Sequence, residues 1–150
     1  GVSSDGYHMT SPAPEGKFAG VAMKKALEDA QLSPEDVGYI NAHGTSTPAG
    51  DEQEALAIQN IWKNAPDVLV SSTKSCTGHT LGAAGAIESV FCIKALETGI
   101  IPPTINLENP SESCQLDFVP QVARKKEIKH ALNNSFGFGG TNACLVFSKV

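Results

Sequence analysis

The sequence predicts an α/β domain, a mixed sheet covered by helices. Three observations carry that expectation. Segments alternate as helix, strand, helix, strand, helix and then strands, which is the order of a helix-covered sheet. The apolar runs Val37 to Ala42 and Val68 to Val70 are strand-length, and each ends in a polar turn. The stretch from about Thr80 to Glu97 is poor in charge and rich in Gly and Ala, so it reads as the most buried helix of the domain.

Taken in order, Gly1 to Ser4 resembles the tail of a strand, and Gly1 itself looks like the middle of a longer chain. Ser4 to Pro14 is polar and broken by Pro, a loop or the rim of a binding site. From Lys17 to Gln31, Phe18, Ala22, Ala26 and Ala30 recur at helical spacing beside Met23 and Leu27. Ser33 caps a short turn with Pro34 at its first position. After the strand to Ala42, Gly44 to Gly50 reads as a turn. Asp51-Glu52 then opens a helix with acid at its positive end, and Ala55, Ile58, Ile61 and Trp62 supply the apolar side. Asn64-Ala65-Pro66 stops it. Gly99 to Ile105 is extended, and Arg124 to Lys129 is a charged connection. Ala131 to Ser135 and Ala143 to Phe147 pair as strands around a Gly-rich turn.

A chain of 150 residues is expected to form one domain with a real core. Its 41% hydrophobic and 18% charged content is ordinary for a globular protein, and a net charge of −5 leaves no basic footprint for nucleic acid. The longest apolar run, Leu81 to Ile93, is broken by Gly82, Gly85 and Glu88, so no membrane span is expected. Cys76, Cys92, Cys114 and Cys144 lack paired spacing; Cys76 and His79 form one C-x2-H with no second pair to complete a zinc site. Free thiols in a reducing compartment are the expectation.

Three loops carry the candidate chemistry. His43 ends one strand, while Lys74 and His79 lie in the turn after the next. Strand ends on one edge of a sheet converge, and two imidazoles there can stabilise an enolate or oxyanion. A strand-end His is also a common structural residue. Lys74 is an anion anchor, a Schiff-base nucleophile or a surface lysine. Glu88 interrupts an apolar helix, where an unpaired carboxylate is costly, so Lys74 is its expected partner. Gly137-Phe138-Gly139-Gly140 serves either a hairpin or close approach of main-chain N–H groups to a ligand. No phosphate-loop pattern is present. Thr45 and Thr47 offer hydroxyls to an extended ligand, or simply make a polar turn.

Asn41-Ala42-His43-Gly44-Thr45-Ser46-Thr47-Pro48-Ala49-Gly50-Asp51, Ser72-Thr73-Lys74-Ser75-Cys76-Thr77-Gly78-His79 with Gly82-Ala83-Ala84-Gly85, and Asn134-Ser135-Phe136-Gly137-Phe138-Gly139-Gly140-Thr141-Asn142 together resemble the β-ketoacyl-[acyl-carrier-protein] synthases. The match is nearest the type II elongating enzyme of fatty acid synthesis. Ser3 to Pro12 and Pro102 to Leu107 agree as well. The resemblance implies a thiolase-like fold of two stacked halves, with residues 1–150 as the C-terminal half. It implies a decarboxylating Claisen condensation of an acyl thioester with malonyl-acyl-carrier protein. By position, His43 and His79 are the catalytic histidines, Lys74 is held by Glu88, and Phe138 is a gate whose N–H joins the oxyanion hole, flanked by Gly137 and Gly139. Thr45 and Thr47 bind the phosphopantetheine arm, with Thr10 and Ser11 near its channel. A structural monovalent cation is expected near Asn41, Asn134 and Ser135, and no other cofactor.

The resemblance also implies acyl carrier protein as partner, a homodimer in the full-length protein, and a bacterial cytoplasm, plastid or mitochondrion as setting. The family's nucleophilic cysteine belongs to the N-terminal half, and none of the four cysteines here matches it, so the isolated chain is expected not to condense. A polyketide-type ketosynthase, a partner subunit lacking the nucleophile, and a non-catalytic module that binds carrier protein are the alternatives.

Overall fold

A computed structural model describes residues 1–111 and 114–150. Five strands form the main sheet in the order β1-β7-β6-β2-β3, where β1 is Val2–Ser4, β2 Val37–Asn41, β3 Leu69–Ser71, β6 His130–Gly137 and β7 Thr141–Ser148. A separate two-stranded ribbon pairs β4 (Ile100–Ile101) with β5 (Arg124–Lys125). The helices are α1 (Lys17–Ala30), α2 (Pro48–Ile61), the single turn α3 (Lys74–Thr77) and α4 (Ala84–Thr98). Helix α2 begins at Pro48, earlier than the acidic pair Asp51-Glu52 suggested, because Pro fits the first helical position. The capped turn at Ser33 forms as expected: the Asp36 carboxylate accepts both the Ser33 N–H and its hydroxyl, at 2.8 and 2.7 Å.

The central strands are buried on both faces, which is why they read as continuous apolar runs. Side chains alternate. Ile40, Val70 and Leu132 point toward α1 and α2, joining Met23, Leu27, Ile58 and Trp62. Tyr39, Leu69 and Ala131 point the other way, against Cys92, Ala95 and Leu96 of α4.

Strands β3, β2 and β6 run parallel, with Asn41 opposite Ser71 on one side and Asn133 on the other. Their carboxyl ends therefore lie on one edge. The loops that leave them carry His43, then Lys74 and His79, then the Gly-rich turn. Strand β7 returns antiparallel from that turn, and β1, antiparallel to β7, runs back toward the same edge. The loop after Ser4 thus reaches the same place; Asp5 N–H donates to Gly140 O and Gly139 N–H to Met9 O, both at 2.8 Å.

Helix α4 is not the most buried helix. It is apolar all round, and only one side meets the sheet: Glu88, Cys92, Ala95 and Leu96 are covered, while Ala86, Val90 and Ile93 face outward and are exposed. The low charge that signalled burial marks instead a helix with two apolar faces, one of them uncovered within this chain.

Candidate active site

The rings of His43 and His79 meet edge to face with centroids 5.6 Å apart, and Phe136 packs against His43 at the same separation on a tilted plane. His43 is half-buried and His79 exposed. The Nδ1 atom of His79 accepts the Leu81 N–H at 3.2 Å, so in the neutral ring the proton sits on Nε2, which is free to donate toward a ligand. Burial, then the positive charge of Lys74, then His79 hold the His43 imidazole at about 3, far below its usual 6.5. His43 is therefore uncharged near neutrality and acts as a neutral hydrogen-bonding group.

Lys74 is buried, whereas His79 is exposed. Its ammonium pairs with the Glu88 carboxylate, with the two side chains 4% and 2% exposed. Burial raises the Glu88 carboxyl even though Lys74 pulls it down. The pair belongs to a polar layer between the strand ends and the start of α4. There Asn41 Nδ2 donates to Thr73 Oγ1 at 3.1 Å, Tyr39 shares a hydrogen bond with Ser71, and Asn133 Nδ2 donates to Gly85 O and Ser89 Oγ.

Two residues that composition and spacing did not single out complete the arrangement. Glu54 of α2 is buried, and its carboxylate accepts the main-chain N–H groups of His43 and Gly44 at 2.9 and 2.8 Å and the Asn134 side-chain N–H at 3.0 Å. Burial raises its pKa, and these donors offset part of the rise. A carboxylate inside the apolar side of α2 was the available signal, the same one that marked Glu88. Phe136 stands out in the sequence only as one position of a motif, yet its ring, and not that of Phe138, touches His43. Phe138 is 80% exposed and turned outward at the cavity rim.

A cavity of about 890 Å³ joins these loops. Its wall includes His43 and His79 together with Thr10, Ser11, Thr45, Thr47, Gly137, Phe138 and Gly139; Lys74 and Glu88 lie behind it. Thr45 and Thr47 hydroxyls are 3.3 Å apart. The Thr10 and Ser11 N–H groups both donate to His8 Nδ1 at 3.1 Å, which fixes the loop that carries them. The Gly139 N–H is already taken by Met9 O, so among the three residues of that turn it is not the one offered to a ligand.

The positions expected around a monovalent cation are largely committed. Asn41 is bonded to Thr73, and Asn134 donates to Glu54 while accepting the Cys144 thiol at 3.0 Å. The buried oxygens without a partner there are Glu88 Oε2 and Asn133 Oδ1. Among the described residues no group of three His, Cys, Asp or Glu could hold a metal, and the four cysteines are unpaired. Burial pushes the Cys92 thiol up to about 12 and raises Cys144 further, so neither suits a nucleophile.

An α/β domain with paired imidazoles at its strand ends, and a buried lysine–carboxylate pair nearby, has the donors and fixed charge to stabilise an oxyanion or enolate. Residues 1–108 match the family model described as "Beta-ketoacyl synthase, C-terminal domain", and the chain belongs to that family. It is 56% identical over 151 residues to 3-oxoacyl-[acyl-carrier-protein] synthase 2 of Coxiella burnetii, covering 100% of this chain and 36% of that protein. A beta-ketoacyl synthase from Burkholderia phymatum superposes with a TM-score of 0.93 at 40% identity, covering 100% of this chain and 36% of that one. A type II PKS acyl-carrier protein in complex with its ketosynthase bound to the hexaketide superposes at 0.95 with 39% identity, covering 99% and 37%. The fold is thus the thiolase-like fold of ketosynthases, and the chain spans little more than a third of the relatives it matches.

Proposed function

We propose that this chain is the C-terminal part of a 3-oxoacyl-[acyl-carrier-protein] synthase that elongates fatty acyl chains. The juxtaposition of His43 and His79 carries the proposal. A malonyl thioester whose carbonyl oxygen sits between the two rings can break its carboxylate C–C bond; CO2 leaves, and the electron pair passes to the α-carbon and the carbonyl oxygen. The two imidazoles donate hydrogen bonds to that enolate oxygen, a charge present only along the reaction path. The carbanion then attacks the carbonyl carbon of an acyl thioester, the C–S bond breaks, and the sulfur that carried the acyl group departs as thiolate. Lys74, fixed by Glu88, places positive charge near the site and adds to burial in keeping His43 unprotonated.

The nucleophilic thiol that would hold the acyl group belongs to the remainder of the longer protein, and Thr10, Ser11, Thr45 and Thr47 line the path of the carrier protein's phosphopantetheine arm. That remainder also covers Ala86, Val90 and Ile93 of α4, and the full-length protein is a homodimer. A monovalent cation, if bound, would draw on the free oxygens of Glu88 and Asn133 as structural ligands. Carrier protein as partner gains support from the ketosynthase solved with its own acyl-carrier protein. A polyketide-type ketosynthase is the second reading, favoured by that same structure but at 39% identity against 56% for the fatty-acid enzyme.

The test is CO2 release from malonyl-carrier protein by the full-length enzyme containing this segment. His43→Ala and His79→Ala are each expected to lower it at least a hundredfold, whereas full release from both variants would refute the proposal. Residues 1–150 alone are expected to yield no condensation product.

A further inference from the structure

The His43 loop is gripped from two sides. Glu54 takes the N–H groups of His43 and Gly44, tying the loop to α2. On the other side the Ser72 hydroxyl donates to the Gly44 carbonyl at 2.7 Å. Ser72 directly follows β3 and stands two residues before Lys74, so this bond joins the first catalytic loop to the turn that bears Lys74 and leads to His79.

Ser72 is itself held. Its N–H donates to Thr104 Oγ1 at 3.1 Å, and the Thr104 hydroxyl donates onward to Phe118 O at 2.8 Å. Its carbonyl accepts the Ser75 hydroxyl at 2.8 Å, and Ser75 Oγ accepts the Ile105 N–H at 3.0 Å. The two loops also touch by shape. Gly44 has φ +35°, and a Cβ there would lie 2.7 Å from Ser72 Cβ and 2.9 Å from its Oγ. Glycine lets the loops close on each other, and the hydroxyl sets how far.

We propose that Ser72 is a positioning residue, clamping the His43 loop to the turn of Lys74 and His79 so that the two imidazoles keep the separation that decarboxylation needs. The proposal rests on the role given above to those histidines. Without the hydroxyl, the Gly44 peptide keeps its hold on Glu54 but can slide away from β3. A shift of about 1 Å at a reacting group costs on the order of a hundredfold in rate. Because Ser72 does not line the cavity, substrate binding should be spared.

The experiment compares full-length enzyme carrying Ser72→Ala, Ser72→Thr and Ser72→Val in malonyl-carrier protein decarboxylation, with melting temperature measured alongside. The Thr and Val variants have nearly the same shape and differ in the hydroxyl, so the pair remains informative even if Ser72→Ala folds poorly. The expected result is a kcat lowered about 10- to 100-fold in Ala and Val, KM within about twofold of wild type, and kcat recovered in Thr. Equal kcat in Thr and Val, or loss of kcat, KM and melting temperature together in Val, overturns the clamp. If the wild-type enzyme releases no CO2, the decarboxylation role of the histidines falls first and the clamp with it; full wild-type release with an unaffected Val variant removes the clamp alone.

Discussion

The Glu54 carboxylate accepts the main-chain N–H of His43 at 2.9 Å, so a buried acid on helix α2 holds the backbone of a histidine at the end of β2. Glu54 also accepts from Gly44 and Asn134, which makes it the buried acceptor for three N–H groups.

Replacing Glu54 with Ala strands those donors, and a buried donor without a partner costs about 1–3 kcal/mol. Glu54→Ala is expected to lower stability by about 3 kcal/mol or more, read as a fall in urea midpoint at constant m-value. Glu54→Gln keeps one acceptor oxygen but turns an N–H₂ group toward other donors, and should lose less than Ala. Equal stability of all three proteins would remove Glu54 from the support of the His43 loop.

The Lys74–Glu88 pair makes a coupling prediction. Taking away one member leaves a buried charge alone, at a cost of about 3–5 kcal/mol, whereas taking away both with apolar replacements is often close to neutral. Lys74→Met is therefore expected to destabilise strongly, and Lys74→Met with Glu88→Leu to recover much of the loss. A double-mutant cycle in denaturant measures it; additive losses would mean the pair is not coupled.

His43 should not titrate in the ordinary histidine range. Its folded pKa of about 3 lies below the usual 6.5, so between those values the unfolded chain binds a proton that the folded chain refuses. Stability is thus undiminished by this group above about 6.5 and is lost progressively as the pH falls toward 3. In NMR titration the His43 ring is expected to stay neutral from about pH 5 to 8. Lys74→Met should move its pKa upward, since Lys74 is the second cause of the depression after burial. A midpoint near 6.5 in the wild type would contradict the buried, cation-flanked environment.

Two glycines should behave differently. Gly140 has φ +79°, and a Cβ there would lie 2.1 Å from Asp5 O and 2.5 Å from Asp5 Oδ1, so Gly140→Ala must displace the loop after β1 or the turn after β6. A loss of about 2 kcal/mol or more is expected. Gly82 has no left-handed φ, and a Cβ added there would meet nothing within 4 Å, so Gly82→Ala should be nearly neutral or slightly stabilising. Thermal melts of the two variants check the contrast, and equal shifts would refute it.

Much of this molecule is determined by short-range features of its sequence. Helical spacing in α1, the Ser33 cap, the apolar runs of β2 and β3 and the Gly-rich turn between β6 and β7 are local signals, since they depend on 3.6- and 2-residue periods and on cap chemistry. Three motifs in order were enough for the family, and an acid inside an apolar helix was enough to pair Glu88 with Lys74. Other features depended on the tertiary structure. The parallel order β3-β2-β6 brings His43 and His79 together, and no local rule contains the order of strands in a sheet. Glu54 acquires its role because α2 packs where its carboxylate reaches the His43 backbone, and Phe136, not Phe138, meets His43 because Phe136 lies within β6 whereas Phe138 lies beyond its end, in the turn that leads to β7. The exposed stripe on α4 follows the same logic: composition reports that a face is apolar, while only packing decides whether anything within the chain covers it.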